Sequence, residues 1–257
     1  MESICVILTQ DLFANLTEFD WRNKKMIGEG QFGSCYLLRK KADKQFYCAK
    51  VYKEVPERPD DQKFLLREVL ILHSLHHEAI VQFHGFNLYN FEGQPFPVII
   101  SEFLPNGELE SMLKKEINKD APREWNNTKK QIIIIGCAAA MRHVHQLGIL
   151  HRDLKPANVL LDSNFYPKIC DFGLSRTFSV ESQTARAGTP IFMSPEMLEE
   201  SPYDFATDVY SFALMVYQII TTRVPYMDYL RKFRNPSPFH LMDYIRRGGR
   251  PQFKEGE

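Results

Sequence analysis

His151-Arg152-Asp153-Leu154-Lys155-Pro156-Ala157-Asn158, followed by Asp171-Phe172-Gly173, brings two carboxylates, an amine and an amide into one short stretch. The apolar run Val159-Leu160-Leu161 separates the two acidic residues, and Pro156 and Asn164-Phe165-Tyr166-Pro167 punctuate the segment as loop and turn. Two short strands follow from this pattern, Val159–Leu161 and Lys168–Cys170, with the polar groups on the loops beside them. A polar turn with an Asx-type bend explains any one of these residues, but not all of them in this order.

The set suits phosphoryl transfer. A polyphosphate carries its charge as a magnesium complex, and Mg2+ is a hard ion that takes oxygen ligands. Asp171 and Asn158 can supply a carboxylate and an amide oxygen. Asp153 can orient an attacking hydroxyl and accept its proton, and Lys155 beside it can neutralise charge on the group in flight.

This stretch resembles the catalytic core of the eukaryotic protein kinases, and the resemblance runs from about Met26 to about Arg250. It implies an α+β, bilobal fold: a small antiparallel β-sheet N-lobe with one main helix, and a larger, mostly helical C-lobe. The expected divisions are 1–20 as an N-terminal extension, 21–100 as the N-lobe, 101–106 as the hinge and 107–257 as the C-lobe. The last two helices of the domain, and the arginine that would pair with Glu196, are expected to be missing.

Composition is compatible with this reading. The 257 residues hold 32 basic and 32 acidic side chains, so no net field draws the chain to nucleic acid or an anionic membrane. The length allows one large domain or two lobes. The five cysteines, at 5, 35, 48, 137 and 170, form no CxxC pair, which reads as reduced thiols in a cytoplasmic or nuclear protein. The start, Met1 to Leu8, lacks a basic region and is too short in apolar residues for a signal peptide. Ile132 to Met141 is the longest apolar run, about half of a bilayer span, and reads as a buried helix apolar on most sides.

Other segments fit the family's pattern. Trp21 to Lys53 alternates as strands do, interrupted by Gly28-Glu29-Gly30-Gln31-Phe32-Gly33. Alone, such a glycine pattern is weak and also suits a dinucleotide fold. Here it is followed by the strand-like Ser34-Cys35-Tyr36-Leu37-Leu38, the kinase order, in which glycines let the backbone close over phosphates. The implied ATP-binding positions on this part are Ile27, Gly28, Glu29, Gly30, Gln31, Phe32, Gly33, Ser34 and Cys35. Cys48 stands where the family usually has the alanine above adenine, and Cys35 where it has valine. Lys50 would reach the α- and β-phosphates.

Asp60 to Leu75 has helical spacing, and on it Glu68 is the implied partner of Lys50. His73, His76 and His77 lack a nearby third ligand, so a turn is the better reading than a metal site. Ala79–Phe86 and Phe96–Phe103 read as strands joined by a turn at 90–95. The hinge would contribute Ser101 at the gatekeeper position, Glu102 and Leu104, and Leu160 is a further implied ATP-binding position. Glu108–Asn118 and Asn126–Gln146 read as helices, with His143 and His145 as packing or surface residues.

Leu174 to Ile191 resembles an activation loop. Ser179, Ser182 and Thr184 are candidate phosphorylation sites for an upstream kinase, with Arg152 as receiver. Asp208 is expected to brace the catalytic loop. Lys155, with Thr189 in the substrate-seating segment, points to serine/threonine specificity. The stretches Phe192-Met193-Ser194-Pro195-Glu196 and Asp208-Val209-Tyr210-Ser211-Phe212 resemble the tyrosine-kinase-like group. The implied activity is transfer of the ATP γ-phosphate to protein serine or threonine in signal transduction, with ATP and Mg2+ as cofactors and a protein substrate as partner. The alternatives are an inactive scaffold and a small-molecule kinase.

Overall fold

The computed structural model describes residues 12–30, 33–172, 176–177, 190–199 and 201–254. The chain divides into two compact units, Met1–His76 with Val81–Phe103, and His77–Ile80 with Leu104–Glu257.

The first unit is built on an antiparallel sheet. Its strands are β1 (Lys25–Glu29), β2 (Gly33–Arg39), β3 (Phe46–Tyr52), β4 (Phe83–Asn87) and β5 (Val98–Glu102), in the order β1-β2-β3-β5-β4. Strand periodicity sorts the side chains into two faces. Leu38, Ala49, Val98 and Ile100 point to a core that also takes Ala14 and Phe19 from the N-terminal segment. The register pairs Cys35 with Lys50, Leu37 with Cys48 and Cys48 with Ser101, so Cys35, Cys48, Lys50 and Ser101 share the opposite face.

Helix α1 (Pro59–Ser74) packs toward that opposite face and starts on a proline with Asp60 and Asp61 in its first turn, a charge placement suited to a helix N-terminus. Leu65, Val69 and Leu72 are buried, as their spacing requires.

Residues before the sheet are part of it. Ala14 N donates to Phe86 O at 2.8 Å and Phe13 forms a parallel bridge to Phe86, covering the β4 edge. Gly85 has φ +143°, and a Cβ there would stand 2.8 Å from the Ala14 Cβ, so only glycine fits beside this segment. Trp21 stacks on Phe91 at 4.2 Å between centroids, which fastens the segment to the 90–95 turn.

One expected strand is shorter than its pattern. Ala79–Gln82 does not join β4: Ile80 makes a parallel bridge to Ile169, and Ala79 O accepts from Ile169 N at 2.9 Å. Ala79 and Ile80 thus pair within the second unit, while Gln82 O accepts from Glu102 N of β5 at 3.0 Å, so only the end of this piece meets the sheet.

The second unit contains α2 (Leu109–Ile117), α3 (Asn127–Gln146), β6 (Ile149–Leu150), the antiparallel pair β7 (Val159–Leu161) and β8 (Pro167–Ile169), β9 (Arg176–Thr177), α4 (Pro195–Leu198), α5 (Ala206–Thr221), α6 (Met227–Leu230) and α7 (Pro238–Arg246). Asn126 caps α3, its side-chain oxygen accepting from Lys129 N at 3.1 Å.

Helix α3 is less enclosed than its composition suggests. Ile133, Cys137, Ala140, Met141 and Val144 form a buried stripe, whereas Ile135 is 68% exposed and Ala138 and Ala139 are also open. Apolar content reports which residues could be buried, not how many faces have a neighbour. Among the described residues, no helix is long and apolar enough to cross a membrane.

The segment 225–248 holds two helices, α6 and α7. Leu241 and Ile245 of α7 join Met193, Met197 and Tyr226 in a buried cluster. Glu196, expected to be a buried carboxylate without a partner, is half-buried, and Thr207 Oγ1 donates to it at 2.9 Å.

Candidate active site

In the second unit the polar loop is assembled around Asp153, which is 6% exposed. Lys155 Nζ lies 2.6 Å from Asp153 Oδ2, and Asn158 Nδ2 donates to the same oxygen at 2.9 Å and to Asp153 O at 2.7 Å. Lys155 and Asn158 therefore converge on one carboxylate oxygen. Because the amide nitrogen of Asn158 is committed to Asp153, its oxygen is the atom to offer a cation. Cys170 N donates to Asn158 O at 2.9 Å, tying β8 and the residue before Asp171 to the same loop.

Asp171 is exposed and takes the left-handed conformation, φ 61°, as does Arg152, φ 71°. Left-handed backbone at non-glycine residues is disfavoured and persists where surroundings hold it. At Arg152 the holder is Asp208: His151 N and Arg152 N each donate to its carboxylate at 2.8 Å. His145 Nε2 is 2.9 Å from the same carboxylate and must carry the proton in that contact.

Burial pushes the Asp208 carboxyl upward, but the His145 hydrogen bond and the two backbone N–H groups outweigh it and hold the group below its ordinary value. His151 Nε2 is 3.2 Å from Cys170 O, and its ring packs 4.9 Å from buried Phe172. Arg152 is buried with its guanidinium 5.5 Å from the Tyr203 ring centroid. Leu104 is buried, and Leu160 on β7 is half-buried and bridges to Glu108.

In the first unit Lys50 Nζ lies 2.9 Å from Glu68 Oε1. The glycine turn is closed by Gly30 N donating to Gly33 O at 2.9 Å, and Gly30 O accepts from Lys53 Nζ at 3.1 Å. Gly33 is required by close approach, since a Cβ there would stand 2.5 Å from Val51 O. Gly28 is paired with Cys35 and Glu29 with Ser34, and the register shifts between Met26 and Gly28, which leaves Ile27 at a bulge. Glu29 makes an exposed ion pair with Lys53 at 2.7 Å. Glu102 Oε1 accepts from Gln82 N at 2.8 Å. Gln31, Phe32, Ser179, Ser182, Thr184 and Thr189 lie outside the described residues.

Two contacts were not foreseen from the sequence. Tyr52 donates its hydroxyl to Glu68 Oε2. His145 is a partner of Asp208, not a simple packing residue. A signal existed for the first: Tyr52 lies two residues beyond Lys50 and so shares its face of the strand.

A known family model, the protein kinase domain, matches residues 21–242. Serine/threonine-protein kinase 36 of Mus musculus is 34% identical over 204 residues, covering 79% of this chain and 15% of that protein. Serine/threonine-protein kinase TIO of Arabidopsis thaliana is 32% identical over 209 residues, 80% of this chain and 15% of that protein. Serine/threonine-protein kinase STY46 of the same plant is 34% identical over 208 residues, 78% of this chain and 33% of that protein. The chain thus spans between about a seventh and a third of these relatives.

Proposed function

Because the chain belongs to the protein kinase domain family, we propose that it transfers the γ-phosphate of ATP to serine or threonine hydroxyls of a protein. The observation that carries this reading is the convergence of Lys155 and Asn158 on one oxygen of the buried Asp153 carboxylate. Asp153 orients the acceptor hydroxyl and takes its proton. Lys155 meets the charge that develops on the transferred group. Lys50, fixed by Glu68, binds the α- and β-phosphates. The oxygens of Asn158 and Asp171 fit a hard cation; when bound there, Mg2+ would neutralise phosphate charge. Asp208 keeps the loop in its strained shape.

Serine/threonine specificity is supported by Lys155 and by the relatives' names. The Phe192–Glu196 and Asp208–Phe212 stretches support a place in the tyrosine-kinase-like group. The lobe boundaries at about 101–106, a cytoplasmic or nuclear location, and activation through Ser179, Ser182 or Thr184 belong to the same proposal. Incubating the folded chain with Mg-ATP and a generic basic protein should yield phosphoserine and phosphothreonine. Absence of transfer would favour a binding scaffold, and label on an aminoglycoside or choline alone would favour a small-molecule kinase.

The cysteines give an independent check. Cys35 and Cys48 share the face of Lys50, and Cys170 Sγ is 3.4 Å from Asn158 O. All three are partly exposed, whereas Cys137 is buried and its thiol is pushed up to about 12 by burial. Since the thiolate is the reactive form, an alkylating reagent should label the three and leave Cys137 intact. Labelling should block ATP binding, and ATP should protect. Equal labelling with and without ATP would contradict a nucleotide at these positions.

A further inference from the structure

Glu68 is 7% exposed, and its carboxylate is held by two donors from one strand. Lys50 Nζ reaches Oε1 at 2.9 Å, and the Tyr52 hydroxyl donates to Oε2. Lys50 and Tyr52 are two apart on β3, so strand periodicity turns both toward α1. The Lys50 ammonium also lies 5.2 Å from the centroid of the Tyr52 ring, within the range where a cation is drawn to an aromatic ring. One side chain therefore touches both members of the pair.

We propose that Tyr52 is a positioning residue for the Lys50–Glu68 pair. The role rests on the kinase reading, in which Lys50 holds the nucleotide phosphates. A lysine is a compact point charge, and a carboxylate can rotate about a single such contact. A second donor on the other oxygen fixes the carboxylate plane, and a hydrogen bond to an ionised acceptor is stronger than a neutral one. The effect on α1 is specific to one turn: the helix carrying Glu68 is pinned to β3 at two points on one strand face. As the Lys50 ammonium turns toward a phosphate, the Tyr52 bond keeps Glu68 in place. The Tyr52 ring limits how far the ammonium strays.

The test uses the full chain with Tyr52→Phe, Tyr52→Leu and Glu68→Gln, and the Tyr52→Phe/Glu68→Gln double variant. Measured are kcat and KM for ATP with a basic protein acceptor, the Mg-ATP dissociation constant and the thermal midpoint. Tyr52→Phe keeps the ring and loses the hydroxyl; kcat/KM for ATP should fall roughly tenfold, as loss of a hydrogen bond to a charged group implies. Its midpoint should stay close to that of the wild type. Tyr52→Leu, which also loses the ring, should fall further.

In the Glu68→Gln background, Tyr52→Phe should add little, because the two residues act as one unit. A tyrosine with only a structural part would give losses that multiply. Multiplying losses, or a Tyr52→Phe enzyme within about twofold of the wild type, would overturn the role. Wild-type chain that neither binds nor turns over ATP would overturn the kinase reading itself and this role with it. That failure is visible before any variant is compared.

Discussion

Replacing Asp153 with asparagine should lower phosphoryl transfer by about 10²–10⁴-fold, the usual worth of a general base, while Mg-ATP binding stays near normal. The substitution is nearly isosteric. Its amide oxygen can still accept from Lys155 Nζ, and Asn158 Nδ2 keeps its separate bond to the main-chain oxygen of residue 153 at 2.7 Å. The loop is therefore retained, and what disappears is the capacity to take a proton. Binding titration and turnover on the same preparation separate the two effects. Near-normal turnover would remove Asp153 as the base, and parallel loss of binding would assign it to holding the nucleotide.

Asp208→Ala should be the most destabilising single change, at about 3–5 kcal/mol, because removal of a buried charge strands its donors. Asp208 is 1% exposed and receives His145 Nε2, His151 N and Arg152 N. Without it, two backbone N–H groups and an imidazole lose their acceptor, and Arg152 loses what holds φ at 71°. The loop carrying Asp153 should then relax, so activity should fall more than the folded fraction does. Denaturant unfolding measures the first effect and turnover the second. A loss under about 1 kcal/mol would mean that the loop is held by other contacts.

The same carboxylate predicts a pH dependence. Its pKa in the folded chain is held below the ordinary carboxyl value, so its stabilisation is present above that ordinary value and lost as pH falls through the lower folded one. Wild-type stability should therefore decline on the acid side of pH 4, and Asp208→Asn should flatten that part of the curve.

The sequence carried the chemistry better than the contacts between elements. Strand positions around Val159–Leu161, the α1 span and the bracing by Asp208 were readable because periodicity, capping and motif spacing are local signals. Strand periodicity puts Tyr52 on the Lys50 face, but its acceptor lies on another element, and no local pattern marks the hydrogen bond to Glu68. The N-terminal segment was equally silent: Phe13 and Ala14 have no strand pattern of their own, and their pairing depends on the bare edge at Gly85 and Phe86. Ala79–Gln82 has strand propensity, but Ala79 and Ile80 pair with Ile169 of β8. Helix α3 was overread in the other direction, since a run of isoleucines does not reveal which flank lacks a neighbour.

The most direct measurement is a calorimetric titration of the full chain with ATP, with magnesium present and with it chelated, repeated for Lys50→Met and Asp171→Asn. One magnesium-dependent site per chain is expected, weakened in both variants, because Lys50 is proposed to hold phosphate and Asp171 the cation. No saturable binding, or binding indifferent to magnesium and to both substitutions, would contradict it.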